Sequence, residues 1–387
     1  MNIHLQDSHP DVKACVEQAL KTCTSNGSMR NGGSAPNLRR LTSGTGSLAL
    51  FYVSAEPSVV IKIGANDVMR EETEFFEAAR VFTKSAPLID FPVIYCRSVD
   101  RSIGWFAMEA GKDVTIENDL YDDKGELRDG WVETLNRFAD CMSPVYRDTL
   151  TTEAWNLDRY HLEGRTRALL TDNQAMRINA ARIAGLPPFT DIVNSRVAIN
   201  GRALGSPLGM LDEAVSRMRG TTAPCSFIHG DLQLRNVIPS EQHEGFLLID
   251  PRASWEGKAP HVAFHGSPLY DAANVLHSVA GLSPILIKKE RNQAAALSAL
   301  SLDRSRLVLD LDDRYFASTD AAIEMAEECV ATMLPASLLD HDWRIRFYLY
   351  AANSCFGWLR SQTVVSELAT WALIYATGIR MLGRAAR

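Results

Sequence analysis

The pattern of apolar and polar positions divides the chain into a strand-rich part and a helical part. Residues 11–23 have apolar positions at helical spacing and predict a helix. The following segment, 24–37, is rich in Gly, Ser and Asn and predicts a mobile linker. Apolar and β-branched runs in 38–63 predict three strands around a glycine-bearing turn. A helix over 66–82 and two more strands, before residue 111, complete this part.

After residue 111 the pattern is mainly helical, with one strand-rich island at 226–250. The sequence therefore predicts an N-terminal helix and linker (1–37), a small β-rich lobe with one long helix (38–110) and a larger, mainly helical lobe (111–387). The longest apolar run, 368–379, is too short to span a bilayer and predicts a buried helix. The first residues lack the basic and apolar segments of a signal peptide.

Composition limits the classes of function. A chain of 387 residues with 46% apolar and 22% charged residues is typical of a soluble protein with two domains or one bilobal unit. The net charge of −7 without a basic run argues against nucleic acid as a partner, because phosphate binding needs clustered Lys and Arg. The seven scattered cysteines predict reduced thiols in a cytoplasmic protein.

The strand-rich island contains a group of polar residues at positions suited to chemistry. The stretch "FIHGDLQLRNVI" is followed by a turn and by the buried strand "GFLLID". In a hairpin, Asn236 at the start of one leg and Asp250 at the end of the other lie at the same edge. An amide and a carboxylate oxygen suit Mg²⁺ when phosphates and water complete its ligands. Asp231, on the loop before the hairpin, remains available to accept a proton from an attacking hydroxyl.

These residues resemble the catalytic hairpin of small-molecule kinases of the aminoglycoside phosphotransferase and choline kinase type, which are relatives of protein kinases. The resemblance rests on "HGDLQLRNVI" followed by "LLID" and covers roughly residues 38–280. It implies a bilobal, protein-kinase-like α+β fold and the use of ATP and Mg²⁺. It also implies that Asp231 is the catalytic base, that Asn236 and Asp250 are metal ligands and that His229 braces the loop. The alternative is a polar hairpin turn with ordinary Asx caps.

A kinase also requires a lysine on a strand of the small lobe, and Lys62 in "VVIKI" is the candidate. A buried ammonium needs a partner. Glu71 falls on the apolar stripe of the following helix, which contains Val68 and Phe75, and is the first choice, with Glu72 next. The alternative is that Glu71 is a boundary residue and that Lys62 faces solvent at a sheet edge.

The kinase interpretation places the nucleotide against two further segments. The turn between the first two strands contains Gly44, Gly46 and Ser47, which allow close approach of backbone N–H groups to phosphate. Adenine is expected on the backbone of 108–112, which includes Glu109. The segment 266–278 resembles the helix that follows the metal-binding strand in this family, with Asp271 as a cap that braces the catalytic loop.

The phosphate acceptor is expected to be a hydroxyl of a small molecule. Acidic stretches at 113–133 and 303–342 favour a cationic acceptor such as an aminoglycoside or an amino alcohol, unless they are solvated surface. Arg252 favours an anionic acceptor such as a sugar derivative or another metabolite. A nucleotide-binding regulator without turnover, and an enzyme that modifies protein side chains, remain alternatives. The sequence leaves the oligomeric state open.

Overall fold

The computed structural model describes residues 10–30, 37–41, 47–98, 102–112, 114–218, 224–240, 244–291 and 296–387. The first described part contains, in chain order, α1 (Pro10–Ser25), β1 (Asn37–Leu41), β2 (Ala49–Ser54), β3 (Val59–Ala65), α2 (Asn66–Phe82), β4 (Ile89–Asp90), β5 (Ile94–Ser98) and β6 (Ile103–Glu109). Helix α2 has the bounds that the apolar spacing predicts.

The middle of the chain is mainly helical. Its elements are α3 (Ile116–Leu120), α4 (Trp131–Asp148), a π-helical turn (Tyr160–Gly164), α5 (Arg165–Thr171), α6 (Gln174–Arg182), α7 (Phe189–Asn194), β7 (Arg196–Ile199), β8 (Arg202–Gly205), α8 (Pro207–Arg217) and β9 (Ser226–Phe227).

The last part begins with the predicted hairpin and ends in helices. Its elements are a 3₁₀ turn (Leu234–Asn236), β10 (Val237–Pro239), β11 (Phe246–Leu248), β12 (His265–Gly266), α9 (Pro268–Ala280), α10 (Leu282–Glu290), β13 (Leu297–Asp303), β14 (Arg306–Leu311), α11 (Asp313–Met333), a second 3₁₀ turn (Ala336–Leu338), α12 (Trp343–Trp358) and α13 (Leu368–Ala385).

The chain divides into two compact units. Unit 1 comprises residues 1–114 and 236–253, and unit 2 comprises 115–235 and 254–387. The hairpin β10–β11 belongs to unit 1, whereas the sequence placed it in the second lobe. The reason is that β11 pairs in parallel with β4, which forms a three-stranded sheet in the order β10, β11, β4.

In unit 1 the described strands form an antiparallel five-stranded sheet in the order β1, β2, β3, β6, β5. Helix α1 covers one face of this sheet, because its apolar stripe packs into a core with β2, β3 and β6. Side chains alternate along a strand, so Ile61 and Ile63 belong to this core while Lys62 points to the opposite face. There Lys62 bonds to a side chain of α2. The β-rich unit with one long helix is thus as predicted, with α1 added to it.

Unit 2 is mainly helical, as predicted, but it also contains a four-stranded sheet that the sequence interpretation missed. The strands lie in the order β13, β14, β7, β8, and the pairing of β14 with β7 is parallel. The expectation of helices alone beyond residue 250 is therefore wrong. Helix α13, which contains the run 368–379, is buried, as expected.

The expectation that all cysteines are reduced is also wrong. Cys23 and Cys96 form a disulfide between α1 and β5, with their Cα atoms 6.3 Å apart and a sequence separation of 73. Helix α1 packs on the sheet and brings the two residues together, a contact that sequence spacing cannot reveal.

None of the described helices is long and apolar enough to cross a membrane.

Candidate active site

A buried lysine forms the centre of the polar cluster in unit 1. Lys62 is 6% exposed and lies on β3 between Leu50 of β2 and Phe106 of β6. Its Nζ donates hydrogen bonds to Oε1 and Oε2 of Glu72 at 2.8 and 2.7 Å, and to Oδ1 of Asp250 at 2.5 Å. The prediction that Lys62 is buried and paired is confirmed. The alternative, that Lys62 faces solvent at a sheet edge, is wrong.

The carboxylate that pairs with Lys62 is Glu72, the second choice from the sequence, and not Glu71. Glu72 is 5% exposed, whereas Glu71 is only partly buried. The error came from the phase of the apolar stripe. Val68, which was assigned to it, is 38% exposed, and the buried face instead runs through Met69, Glu72, Thr73, Phe75, Phe76 and Ala79. A shift of one residue rotates a helix position by about 100°, which moves Glu71 away from the sheet.

The two carboxylates hold Lys62 in its charged form. Burial acts to lower the pKa of the Lys62 ammonium, but Glu72 and Asp250 together raise the pKa above its ordinary value. A positive charge held in the middle of strand β3 is suited to bind a phosphate group.

Asp250 stands at the end of the hairpin with a left-handed backbone. Its φ is +56°, a region that Asp tolerates better than most residues, and its side chain is 46% exposed. Such conformations cluster at functional sites, where the surrounding structure maintains them. The backbone N–H of Ile249 donates to the carbonyl oxygen of Asn236 at 2.9 Å. This bond places Asn236 beside Asp250 at one end of the hairpin, as the sequence predicts.

The donor set at this end of the hairpin fits Mg²⁺. It offers an amide oxygen from Asn236 and a half-exposed carboxylate from Asp250, and hard oxygen ligands are the ones that Mg²⁺ prefers. Within the described residues, no group of three or more His, Cys, Asp or Glu side chains is arranged to hold a metal. The ion would therefore need substrate phosphates and water to complete its ligands.

Unit 2 contains the loop with His229 and Asp231. The carboxylate of Asp271, at the start of α9, accepts hydrogen bonds from the backbone N–H of His229 at 2.7 Å and of Gly230 at 2.8 Å. The hydroxyl of Tyr146 donates to the same carboxylate at 2.9 Å. Gly230 has a φ of +79°, which glycine adopts without strain. Asp271 therefore braces the loop, although it does so through backbone N–H groups and not as a helix cap.

Burial raises the pKa of Asp271 to about 7, and the charge of Asp231 adds to the rise. The three hydrogen bonds oppose this shift because they favour the ionised form. The position of the loop thus depends on a fully buried carboxylate that accepts three hydrogen bonds.

Gln233 contacts the proposed base. Its Nε2 donates to Oδ1 of Asp231 at 2.9 Å, which fixes one carboxylate oxygen. The sequence analysis assigns no role to Gln233, although its spacing of two residues from Asp231 was a usable signal. Arg235, which also has no predicted role, bonds to Ser283 at 3.0 Å and pairs with Glu117 at 3.4 Å, so its role is structural. Tyr146 was missed because 125 residues separate it from Asp271.

The remaining predicted nucleotide contacts are the turn with Gly44, Gly46 and Ser47 and the segment around Glu109. Gly44 and Gly46 lie outside the described residues, and Ser47 is half-buried just before β2. Glu109 ends β6, and its backbone N–H donates to the carbonyl oxygen of Val93 at 2.9 Å. The Glu109 carboxylate accepts from the N–H of Val93 at 3.3 Å, so this side chain is turned towards β5.

Some carboxylates of the acidic stretches pair with cations of unit 2. Four carboxylates within 113–133 and 303–342 form ion pairs at 2.5 to 2.7 Å. The pairs are Glu126 with Lys288, Asp320 with Arg380, Glu327 with Arg344, and Asp340 with Arg346. These four carboxylates therefore have structural partners within unit 2.

No family model matches the sequence, and no curated protein matches it. Among solved structures, the chain is similar to a protein from Haemophilus somnus 129PT that is provisionally assigned as a fructosamine-3-kinase, with 10% identity, 95% of this chain and 97% of that chain covered, and a TM-score of 0.48. It is also similar to the GDP complex of aminoglycoside 2′-phosphotransferase-IIIa, with 10% identity, coverage of 96% and 98%, and a TM-score of 0.45.

A third similar structure is a macrolide 2′-phosphotransferase from Brachybacterium faecium, with 11% identity, coverage of 93% and 97%, and a TM-score of 0.40. At such identities and TM-scores the likeness carries no statement about activity, and the chemistry of this chain has to be inferred from its own residues.

Proposed function

We propose that this protein is an ATP- and Mg²⁺-dependent phosphotransferase that acts on a hydroxyl group of a small molecule. The observation that carries the proposal is the buried ion pair of Lys62 with Glu72. The ammonium of Lys62 also donates a hydrogen bond to Asp250 at the end of the hairpin. A buried charge is costly to maintain. Its retention beside an exposed carboxylate and Asn236 is explained by the binding of a nucleotide's phosphates and their metal.

Each residue has a defined task in this reaction. Lys62 binds phosphate oxygens of ATP, and Glu72 orients it. Asn236 and Asp250 would hold Mg²⁺, which supplies charge neutralisation on the phosphates when bound. The segment around Glu109 would receive adenine, and the turn with Gly44, Gly46 and Ser47 would cover the phosphates, as in the family that the sequence resembles.

The transfer itself depends on Asp231. Its carboxylate orients the acceptor hydroxyl and accepts its proton while the hydroxyl oxygen bonds to the γ-phosphorus and the bond to the β,γ-bridging oxygen breaks. Gln233 and the brace from Asp271 to His229 and Gly230 keep this carboxylate in place.

The acceptor is proposed to be a small molecule, with no nucleic acid or membrane as partner. The named structural neighbours act on aminoglycosides, macrolides or fructosamines by their descriptions. The exposed Arg252 supports an anionic metabolite or sugar. We place the reaction in the cytoplasm, where ATP is available. The Cys23–Cys96 disulfide is unusual for that compartment.

The experiment that tests the proposal is a screen for ADP release from ATP and Mg²⁺ across aminoglycosides, amino alcohols, sugars, sugar acids and nucleosides, with mass spectrometry of the products. The expected result is one class of acceptor that gains a phosphate. Stabilisation of the protein by ATP without any product would instead indicate a non-catalytic nucleotide-binding regulator. Phosphate or nucleotide attached to a protein substrate would indicate an enzyme that modifies side chains.

A further inference from the structure

Unit 1 contains a cavity outside the polar cluster around Lys62. Its volume is about 440 Å³, within the range of small-molecule binding sites. The floor is apolar and buried, with Ala86, Ile89, Phe91 and Leu247 at 2, 2, 5 and 7% exposure. The walls come from the end of α2, from β4, from the end of β6 and from the hairpin β10–β11.

The cavity is separate from the cluster around Lys62. Among its described lining residues there is neither Lys62 nor Ser47, nor either of the expected metal ligands. Its lining does include the segment from Glu109 to Gly111, whose backbone is the expected contact for adenine. The cavity is therefore separate from the side chains expected to bind phosphate and metal, and it adjoins the expected adenine contact.

Among the described lining residues, charges of both signs are equal in number. Arg80 and Lys84 are exposed near the end of α2, and Asp90 and Glu109 are half-buried on β4 and β6. The field of these groups reaches Tyr95 on β5: burial raises the pKa of its hydroxyl, Glu109 adds to the rise and Arg80 opposes it. Thr83 and Ser240 add hydroxyl groups to the lining.

This distribution of charged groups determines which class of ligand the cavity can bind. A purely anionic or purely cationic molecule would meet as much repulsion as attraction from two cations and two carboxylates. A molecule with an ammonium group and a carboxylate can satisfy both signs at once while its carbon chain covers the apolar floor. We propose that this cavity is a second binding site, for a small zwitterion of the amino-acid class.

The test uses the full chain and titration calorimetry with 4-aminobutyrate and 6-aminohexanoate. Butylamine and butyrate are the singly charged controls. At least one zwitterion is expected to bind about tenfold more tightly than either control, a difference of about 1.4 kcal/mol. Equal binding of the singly charged compounds, or no binding of either zwitterion, would overturn the proposal.

Variants of lining residues test whether the zwitterion binds in this cavity. Lys84→Gln and Asp90→Asn are each expected to weaken zwitterion binding about tenfold, whereas the matched changes Lys13→Gln and Glu17→Gln on the exposed face of α1 are expected to leave it unchanged. Lys84 is exposed, so its variant tests the site even if Asp90→Asn does not fold. Wild-type affinity in the Lys84→Gln variant would contradict the assignment.

A competition experiment separates this site from the nucleotide site. With saturating ATP and Mg²⁺ present, the zwitterion is expected to remain bound, because the cavity shares no side chain with the Lys62 cluster. Displacement by ATP would show that the zwitterion binds at the nucleotide site and would overturn the proposal. The calorimetric test does not depend on phosphoryl transfer, so a failure of the proposed function would not affect it.

Discussion

Lys62 and Glu72 are joined by two hydrogen bonds, of 2.8 and 2.7 Å, from one ammonium to both oxygens of one carboxylate. Both side chains are almost completely buried, at 7% and 4% exposure. The bonds fix helix α2 against strand β3, and the same ammonium reaches Asp250. One pair thus connects the helix, the sheet and the hairpin of unit 1.

The first prediction concerns this pair. Glu72→Gln removes the negative charge while Lys62 stays buried, so the free energy of unfolding is expected to fall by about 3 kcal/mol. We expect ATP affinity to fall as well, because the ammonium is no longer held in place. Urea unfolding and nucleotide titration measure the two effects.

The neighbouring residue is the matched control. Glu71 is only partly buried and does not bond to Lys62 in the hydrogen bonds described here. Glu71→Gln is therefore expected to change stability by less than about 0.5 kcal/mol. If Glu71→Gln had the larger effect of the two, the placement of α2 against β3 would be wrong.

A second prediction concerns the brace of the catalytic loop. Asp271→Ala leaves the buried N–H groups of His229 and Gly230 without their acceptor and is expected to cost about 3 kcal/mol of stability. Tyr146→Phe removes one hydrogen bond to Asp271 and is expected to cost about 1 kcal/mol.

The brace also predicts a specific kinetic effect of Tyr146→Phe. Because Asp231 is displaced while the nucleotide site is intact, kcat is expected to fall and KM for ATP to stay constant. A rise in KM for ATP with unchanged kcat would assign Tyr146 to nucleotide binding and contradict the positioning role.

The third prediction is a dependence of stability on pH through His277. Burial lowers the pKa of His277 to about 4, from an ordinary value of 6.5, and its Nε2 lies 3.1 Å from the carbonyl oxygen of Ala351. The unfolded chain takes up a proton first as pH falls, so the stability present above pH 6.5 is lost progressively towards pH 4. The loss from this group amounts to about 3 kcal/mol.

His277→Gln is the variant for comparison, since it cannot take up a proton. Its unfolding free energy, from urea titrations between pH 4 and 7, is expected to vary less with pH than that of the parent protein. Identical pH profiles would show that His277 is not buried as described.

The fourth prediction concerns the disulfide. Because Cys23 and Cys96 join α1 to the sheet across 73 residues of sequence, reduction is expected to lower the free energy of unfolding by about 3 kcal/mol. Cys23→Ser should show the same loss and no further response to reductant, while Cys141→Ser should retain the response. Alkylation of both thiols in the native, unreduced protein would contradict the cross-link.

Local patterns account for the parts of the structure that the sequence predicted. Helix α2 and the strand with Lys62 have strong periodicity, and the hairpin motif has its polar residues within a short segment. The choice between Glu71 and Glu72 failed because a stripe fitted from Val68 is out of phase with the face that the sheet buries. Periodicity predicts that an amphipathic helix is present more reliably than it predicts which face of that helix is buried.

Long-range contacts account for the parts that were missed. The sheet of unit 2 pairs β14 with β7, about 110 residues earlier in the chain, and no local pattern specifies that partner. The alternation in β14 itself, buried at Leu307, Leu309 and Leu311, was a usable signal for a strand. The disulfide and the bond from Tyr146 to Asp271 depend on tertiary packing in the same way.

The central claim is that Asp231 serves as the base in phosphoryl transfer from ATP, and one comparison tests it most directly. The rate of ADP release with the acceptor found in the screen is measured for the parent protein, for Asp231→Asn and for Asp129→Asn, an exposed aspartate of unit 2. We expect Mg²⁺-dependent transfer in the parent and in Asp129→Asn. Asp231→Asn is expected to lower kcat by about 10² to 10⁴ with unchanged nucleotide affinity. Full activity of Asp231→Asn would contradict the account.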